Sequence, residues 1–238
     1  MTLHIANKWA LVTGASRGIG QQIALGLAAR GVNLVLHSSS APNQAATRTL
    51  LEGHAVQVTS VEGQLDDPEA ISQFVAEAET VSGGIDILFN NAAVMTPATA
   101  LFDTTQADYE QSFQVNLYSV IQICAYFAPR MKSRGFGRIV NVTSGIKDTP
   151  QQEAYSVTKA ALDKYTRDLA IELQGTGVLA NLLDPGWCRT DLGGPHAEND
   201  VTSVLPGALL PAMLGNQGSG APKGVLFEAQ DYAGIEWP

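Results

Sequence analysis

The sequence predicts an α/β protein built on one doubly wound parallel sheet of about seven strands, with helices on both faces. Short β-branched runs alternate with helix-like segments along the chain, which implies parallel strands joined by right-handed crossovers. The runs are mostly continuously apolar, as expected for strands that are covered on both faces. A length of 238 residues without a Pro/Ser-rich linker indicates a single domain over residues 1–238.

Each predicted element has a local signal in the sequence. The predicted strands are the apolar runs at residues 9–13, 33–37, 55–61, 85–90, 138–143, 178–183 and 225–228. The predicted helices lie between them, at residues 18–30, 43–51, 68–81, 105–134, 153–173 and 206–214. Asp67 before Pro68 is a typical helix start, and Gly31 after Arg30 is a typical helix end. The Gly- and Pro-rich segment 193–223 interrupts the last crossover, and we expect it to cover a site at the carboxyl ends of the strands.

The composition excludes several classes of protein. An apolar fraction of 45% excludes a disordered chain, and no apolar run approaches the roughly 18 residues of a membrane-spanning helix. The net charge of −9 argues against nucleic acid as a partner. Cys124 and Cys188 cannot form a disulfide framework, and the first residues lack the apolar stretch of a signal peptide, so we expect a cytoplasmic protein without a membrane partner. The four histidines show no metal-ligand spacing, and we expect no catalytic metal.

A glycine-rich turn follows the first predicted strand and opens the first predicted helix. Its glycines, Gly14, Gly18 and Gly20, have the spacing G-x-x-x-G-x-G rather than the more familiar G-x-G-x-x-G. Glycines at such a turn let the backbone approach a pyrophosphate, whose charge meets free N–H groups at the helix N-terminus. The turn therefore predicts a dinucleotide site, and the alternative is a turn that binds nothing.

The residues after the second predicted strand indicate which dinucleotide is bound. A carboxylate about 20 residues past the glycines normally binds the ribose 2′-hydroxyl and repels a 2′-phosphate. That position is Ser38, followed by Ser39, and no Asp or Glu precedes Glu52. We therefore predict NADP(H) in preference to NAD(H), with Arg17 pairing with the phosphate and both serines donating hydrogen bonds to it. The alternative for the serines is a solvated loop.

A second group of polar residues follows the later strands. Tyr155 and Lys159 are four residues apart on one predicted helix, so they share a helix face. Ser144 ends the fifth predicted strand, eleven residues before Tyr155, and Asn116 is expected to open the long fourth helical segment. A Tyr–Lys pair alone is weak evidence of a site, since such pairs arise by chance; its value lies in the residues around it.

In their order and spacing, these motifs resemble the short-chain dehydrogenase/reductase family across essentially the whole chain. The resemblance is carried by the glycine-rich turn, the run Asn90-Asn91-Ala92, the residues Asn116, Ser144, Tyr155 and Lys159, and the run Asp184-Pro185-Gly186-Trp187-Cys188-Arg189-Thr190. The stretch 185–195 and the closing Gly224-Val225-Leu226-Phe227 look most like bacterial carbonyl reductases.

The resemblance implies a role for each of these residues. Tyr155 is the general acid in reduction, Lys159 lowers the pKa of Tyr155 and holds the nicotinamide ribose, and Ser144 polarises the carbonyl. Asn116 holds a water that links Lys159 to solvent, and Thr143 competes with Ser144 for the polarising role. The implied cofactor-binding set, besides Tyr155 and Lys159, is Gly14, Ser16, Arg17, Gly18, Ile19, Gly20, Ser38, Ser39, Gln64, Leu65, Asn91, Ala92, Ala93, Pro185, Gly186, Trp187 and Thr190.

The sequence departs from the family pattern at two cofactor positions. Ala93 replaces a usual glycine, and Gln64 stands where an aspartate usually contacts adenine. Both departures are expected to change the affinity for the cofactor rather than the transfer of the hydride. Cys188 has no histidine partner in the sequence, and we expect a packing thiol rather than a nucleophile.

These observations predict an NADPH-dependent carbonyl reductase that acts reversibly on a small ketone or aldehyde. One alternative is a 3-oxoacyl-thioester reductase, which needs a basic patch for an acidic carrier; Lys132, Arg134 and Arg138 are the candidates. Another alternative is a non-catalytic NADP(H)-binding sensor or scaffold. A Rossmann-like methyltransferase is disfavoured, because it would leave Ser144, Tyr155 and Lys159 unexplained. The resemblance also implies a homotetramer or homodimer through the helices at 105–134 and 153–173.

Overall fold

The seven strands form one parallel sheet in the spatial order β3-β2-β1-β4-β5-β6-β7. The computed structural model describes residues 3–96, 101–145, 153–215 and 223–235. The strands are β1 (Trp9–Val12), β2 (Asn33–Ser38), β3 (Val58–Glu62), β4 (Ile87–Asn90), β5 (Gly137–Val142), β6 (Val178–Asp184) and β7 (Leu226–Glu228). The strand order reverses between β1 and β4, and ligands of such sheets bind at this reversal. The predicted fold class and all seven strands are confirmed.

The helices cover both faces of the sheet. They are α1 (Gly18–Ala28), α2 (Ala45–Leu51), α3 (Pro68–Ser82), α4 (Gln106–Phe113), α5 (Ser119–Arg134) and α6 (Glu153–Glu172). As predicted, the Asp67 side chain caps α3, accepting a hydrogen bond from Glu69 N at 2.9 Å. No helix among the described residues is long and apolar enough to cross a bilayer.

Two predicted helices differ from the observed ones. The predicted helix 105–134 is divided into α4, a π-helical turn at Gln114–Tyr118, and α5. Asn116 lies inside this π turn, so the prediction that it opens the helical segment was wrong. The predicted helix 206–214 is a 3₁₀ segment, Gly207–Met213, which contains Pro211. A proline has no N–H to donate and clashes with a preceding turn, so a regular α-helix is disfavoured there.

The core consists of two apolar layers, one on each face of the sheet. On one face α1 packs with residues of the 3₁₀ segments, including Val204 and Leu209; on the other, α3, α5 and α6 pack together. The segment 204–213 is close to α1, since a Cβ on Gly26 would lie 2.8 Å from Leu205 Cδ2. This part of the 193–223 segment is therefore core, whereas residues 216–222 lie outside the described residues. That the segment covers a substrate stays a prediction.

Candidate active site

One cleft of about 640 Å³ lies at the carboxyl ends of the strands. Its walls come from the glycine-rich turn, the ends of β2, β3 and β5, the loop after β4, helix α6 and the loop after β6. Sixteen of the predicted site residues line it: Gly14, Ser16, Arg17, Gly18, Ile19, Ser38, Ser39, Gln64, Leu65, Asn91, Ala92, Ala93, Tyr155, Lys159, Pro185 and Thr190. Gly20, Asn116, Ser144, Gly186 and Trp187 are not among the lining residues.

The glycine-rich turn is shaped by close backbone packing. Gly14 and Gly18 have φ angles of +65° and +61°, which residues with a side chain rarely adopt. A Cβ on Gly20 would lie 2.3 Å from Gly14 O, so only glycine fits there. Helix α1 has no side-chain cap, and its first N–H groups are therefore available to an anion. These residues fit the pyrophosphate of a dinucleotide.

Asn91 braces the glycine-rich turn against the loop after β4. Its Nδ2 donates to Thr13 O at 2.9 Å and to Gly14 O at 3.3 Å. The Thr13 hydroxyl in turn accepts hydrogen bonds from the N–H groups of Asn91 and Ala92, at 2.9 and 3.1 Å. Asn91 therefore positions the turn, in addition to lining the cleft.

The predicted 2′-phosphate site contains one exposed cation. Arg17 Nε lies 2.8 Å from Asp191 Oδ2, and both side chains are largely exposed. Ser39 is exposed and accepts a hydrogen bond from Asn43 Nδ2 at 3.2 Å, which leaves its hydroxyl proton available. Ser38 is buried, and its hydroxyl donates to Ser40 O at 2.7 Å. In this arrangement Ser38 has no proton to offer a phosphate, contrary to the prediction.

Tyr155 and Ser144 meet at the other end of the cleft. Tyr155 is buried, and Ser144 lies close enough to its hydroxyl to act on its pKa as a hydrogen-bond partner. Burial raises the pKa of Tyr155 to about 12, and the negative charge of Asp184 adds to the rise, whereas the hydrogen bond with Ser144 opposes it. The pKa of Tyr155 is therefore raised, whereas the sequence predicted that Lys159 would lower it. At neutral pH the phenol carries its proton.

Lys159 is buried one helical turn after Tyr155. Its ammonium donates to Val142 O at 2.8 Å and lies 5.5 Å from the centre of the Tyr155 ring. Burial lowers the pKa of Lys159 to about 8, while the charge of Asp163 acts in the opposite direction. The ammonium form therefore persists below about pH 8.

The residue before Ser144 is held by a carboxylate that the sequence analysis missed. Thr143 Oγ1 donates to Asp163 Oδ1 at 2.5 Å, inside the protein. Because its proton is used there, Thr143 does not compete with Ser144 for the polarising role. The signal in the sequence is the spacing of Lys159 and Asp163, four residues apart on one helix face.

Asn116 connects the loop after β4 to α6 through hydrogen bonds. Its Oδ1 accepts from Val94 N at 2.8 Å, and its Nδ2 donates to Val94 O at 2.9 Å and to Thr158 Oγ1 at 3.2 Å. Both amide protons are therefore used within the protein. A water relay at Asn116 stays a prediction.

The loop after β6 forms the remaining wall of the cleft. Trp187 is exposed, and its indole N–H donates to Gly193 O at 2.8 Å, which closes the loop on itself. Cys188 is buried and donates to Pro185 O; burial is the main cause that raises the pKa of its thiol to about 11. This thiol is poorly suited to be a nucleophile. The described residues hold no group of three His, Cys, Asp or Glu side chains that could bind a metal.

Comparison with known proteins agrees with this geometry. The family model for short-chain dehydrogenases matches residues 8–201. A short-chain type dehydrogenase/reductase of Picea abies is 34% identical over 79% of this chain and 73% of its own. The D-beta-hydroxybutyrate dehydrogenase of Cupriavidus necator is 33% identical over 78% of this chain and 72% of its own.

A solved structure extends the similarity to the whole fold. The 3-oxoacyl (acyl-carrier-protein) reductase of Agrobacterium tumefaciens, with NADP bound, has a TM-score of 0.82 and 27% identity, covering 94% of this chain and 93% of its own. The chain therefore belongs to the short-chain dehydrogenase/reductase family and is an NAD(P)-dependent oxidoreductase acting on C=O and CH–OH groups.

Proposed function

We propose that this protein is an NADP(H)-dependent carbonyl reductase that acts reversibly on a small ketone or aldehyde. The observation that carries the proposal is the layout of a single cleft. Tyr155 and Lys159 line one part of it, with Ser144 next to Tyr155, while the glycine-rich turn and Arg17 line another. A dinucleotide that lies along the cleft would reach from the anion site at the glycine-rich turn to the proton donor, Tyr155.

The residues present fit a nicotinamide dinucleotide phosphate. The uncapped N-terminus of α1 and the three glycines would hold the pyrophosphate, and Arg17 with Ser39 would hold the 2′-phosphate. No carboxylate stands at position 38 to bind a ribose 2′-hydroxyl. When bound, the cofactor supplies the hydride that reduces the carbonyl carbon.

The protein supplies the proton. Because the pKa of Tyr155 is raised to about 12, the phenol stays protonated at neutral pH and can donate its proton to the carbonyl oxygen. Ser144, hydrogen-bonded to Tyr155, would donate to the same oxygen and polarise the carbonyl. The Lys159 ammonium would stabilise the phenolate that remains, and its charge is lost as the pH rises through its pKa of about 8. We therefore expect reduction to be favoured below that pH.

The outer face of α6 and the π turn supports the proposal of a homodimer or homotetramer. Val157, Ile171 and Tyr118 are large apolar side chains that are exposed on these elements. Ala160 is exposed as well, so its small side chain permits close approach of a second copy rather than burial against the sheet. Val157→Glu should lower the mass measured by light scattering.

We also propose a cytoplasmic location, on the grounds of the two buried, unpaired cysteines.

The basic residues suggested for an acidic carrier do not favour the thioester alternative. Arg138 is buried and donates to Leu214 O and Gly177 O. Arg134 pairs with Glu79 and donates to Ile85 O. These residues lie at the end of α5 and the start of β5. They are therefore at the amino ends of the strands, whereas the cleft lies at the carboxyl ends.

A carbonyl panel assayed with NADPH and with NADH tests the proposal, with Tyr155→Phe as the control for enzymatic turnover. We expect small ketones or aldehydes to be reduced with NADPH at a lower KM than with NADH. A KM for NADH equal to or below that for NADPH overturns the cofactor preference. Faster turnover of acetoacetyl thioesters supports the thioester alternative, and tight NADPH binding without turnover across the panel supports a sensor.

A further inference from the structure

Asp163 is a buried carboxylate that the proposed chemistry does not use. Its side chain is 7% exposed, although carboxylates are rarely buried unless they are paired. It lies on α6 one turn after Lys159, and Oδ1 accepts the hydrogen bond of Thr143 Oγ1. Its other oxygen, Oδ2, lies 4.0 Å from Arg167 Nη2, whose side chain is half exposed.

Thr143 connects this carboxylate to the reacting residues. Its N–H donates to Leu183 O of β6 at 2.8 Å, and its hydroxyl donates to Asp163 on α6. The residue is thus held from two elements, directly before Ser144. Val142, on its other side, accepts the hydrogen bond of the Lys159 ammonium. The end of β5 that carries Ser144 is therefore tied to α6 at two successive residues.

Among the residues that the structure describes, the titratable and charged groups around Lys159 are few. On α6 they are Tyr155, Asp163 and, beyond Asp163, Arg167; from β6, Asp184 acts on Tyr155. The described part of the β5 end contributes the neutral Val142 carbonyl and the Thr143 and Ser144 hydroxyls. A buried ammonium loses the hydration that stabilises its charge, and a nearby carboxylate replaces part of that stabilisation. Among these groups Asp163 raises the pKa of Lys159, against the effect of burial.

We propose that Asp163 is a positioning residue with two roles: it holds Thr143 and the adjoining Ser144 in place, and it is the counter-charge of the buried Lys159 ammonium. The proposal rests on the proposed function for its link to turnover. The charge role is a property of the protein without ligands, so it is testable apart from the reaction.

The charge role is tested by NMR titration of the lysine side-chain 15Nζ signals in the cofactor-free protein. The chain has six lysines, and the Lys159 signal is assigned by its loss in Lys159→Arg. In Asp163→Asn, which keeps an oxygen acceptor for Thr143, we expect the Lys159 midpoint to fall by roughly one pH unit. Asp168→Asn is the matched control, because Asp168 lies on the same helix but is exposed and pairs with Lys164. It should leave the midpoint unchanged.

A second variant keeps the test decisive if Asp163→Asn does not fold. Arg167→Gln removes a half-exposed cation beside Asp163, and we expect the Lys159 midpoint to rise. An unchanged midpoint in a folded Asp163→Asn protein, or in Arg167→Gln, overturns the charge role. A midpoint that moves in Asp184→Asn but not in Asp163→Asn assigns the counter-charge to Asp184 instead.

The positioning role is tested by turnover of the best substrate from the carbonyl panel. Thr143→Val removes the hydrogen bond but leaves the carboxylate, so we expect kcat to fall by about tenfold with little change in KM and no displacement of the pH profile. Asp163→Asn should instead displace the alkaline limb of the profile to lower pH. If wild-type turnover is present and both variants match it, the inference fails; if wild type shows no turnover, the proposed function fails.

Discussion

The two ends of the cleft are built in opposite ways. At the tyrosine end, Tyr155, Lys159 and Asp163 are all buried, and their partners come from β5 and α6. At the arginine end, Arg17 and Asp191 form an ion pair whose side chains are 70% and 75% exposed. Interactions inside a protein are strong and geometrically constrained, whereas exposed ion pairs are weak and screened by salt.

This difference separates the reaction from the choice of cofactor. Substitutions at the buried end change groups that have no competing water, so we expect large losses of turnover. Substitutions at the exposed end change one screened interaction among several contacts with the cofactor. There we expect modest changes in KM that differ between NADPH and NADH.

The largest effect is expected at the phenol of the buried end. Tyr155→Phe removes the proton donor, and turnover should fall by roughly a hundredfold to ten-thousandfold. NADPH binding should persist, because the glycine-rich turn and Arg17 are untouched. Steady-state kinetics together with NADPH fluorescence titration measure the two effects separately. Near-normal turnover in the variant contradicts the assignment of Tyr155.

The packing of the glycine-rich turn behind the cleft is tested by Gly20→Ala. Alanine is normally the better helix residue, but here its Cβ would lie 2.3 Å from Gly14 O. We expect the free energy of unfolding to fall by about 1–3 kcal/mol, since the turn must shift. The Kd for NADPH should rise by roughly tenfold, because the shifted turn no longer presents its N–H groups to the pyrophosphate.

Gly53→Ala is the matched control for this substitution. Gly53 has no atom within 4 Å of the position a Cβ would take, and its φ lies outside the left-handed region. Chemical denaturation should therefore find its stability close to that of wild type. Equal stability of Gly20→Ala and Gly53→Ala would contradict the role given to the contact between Gly20 and Gly14.

The sequence predicted the framework well because the framework depends on patterns that are local. Continuous apolar runs mark buried parallel strands wherever they occur, and the glycine turn has its own spacing. The π turn at Gln114–Tyr118 left no such signal, since its residue types also suit an α-helix. The direction of the Tyr155 pKa was mistaken because burial, rather than the neighbouring lysine, decides it.

Contacts between distant segments were the other part that the sequence did not reveal. Arg138 is buried and donates to Leu214 O, 76 residues later. Asp163 lies on the same helix face as Lys159, but only the fold shows that its partner is Thr143. Burial and hydrogen-bond partners of polar side chains depend on the packing of the whole chain.

The exposed end is tested first at its cation. Arg17→Ala should raise the KM for NADPH by roughly tenfold and leave the KM for NADH nearly unchanged, because only NADPH carries the 2′-phosphate. Arg48→Ala is the control: Arg48 donates to Ser60 and does not line the cleft. Parallel KM measurements with both cofactors check the prediction. An equal rise for NADH would mean that Arg17 serves the pyrophosphate instead.

The smallest effect is expected for Asp191→Asn, which releases Arg17 from its carboxylate partner at 2.8 Å. A free guanidinium is a better partner for a phosphate, so the KM for NADPH should fall by roughly two- to threefold at low salt. The gain should shrink at high salt, because the Debye length falls to about 3 Å at 1 M and the exposed pair in wild type is then already screened. In the Arg17→Ala background the same substitution should change nothing, since the two residues act through one interaction. A gain that persists without Arg17 would show that Asp191 acts on the cofactor directly, and the exposed end would then be governed by its total charge rather than by this pair.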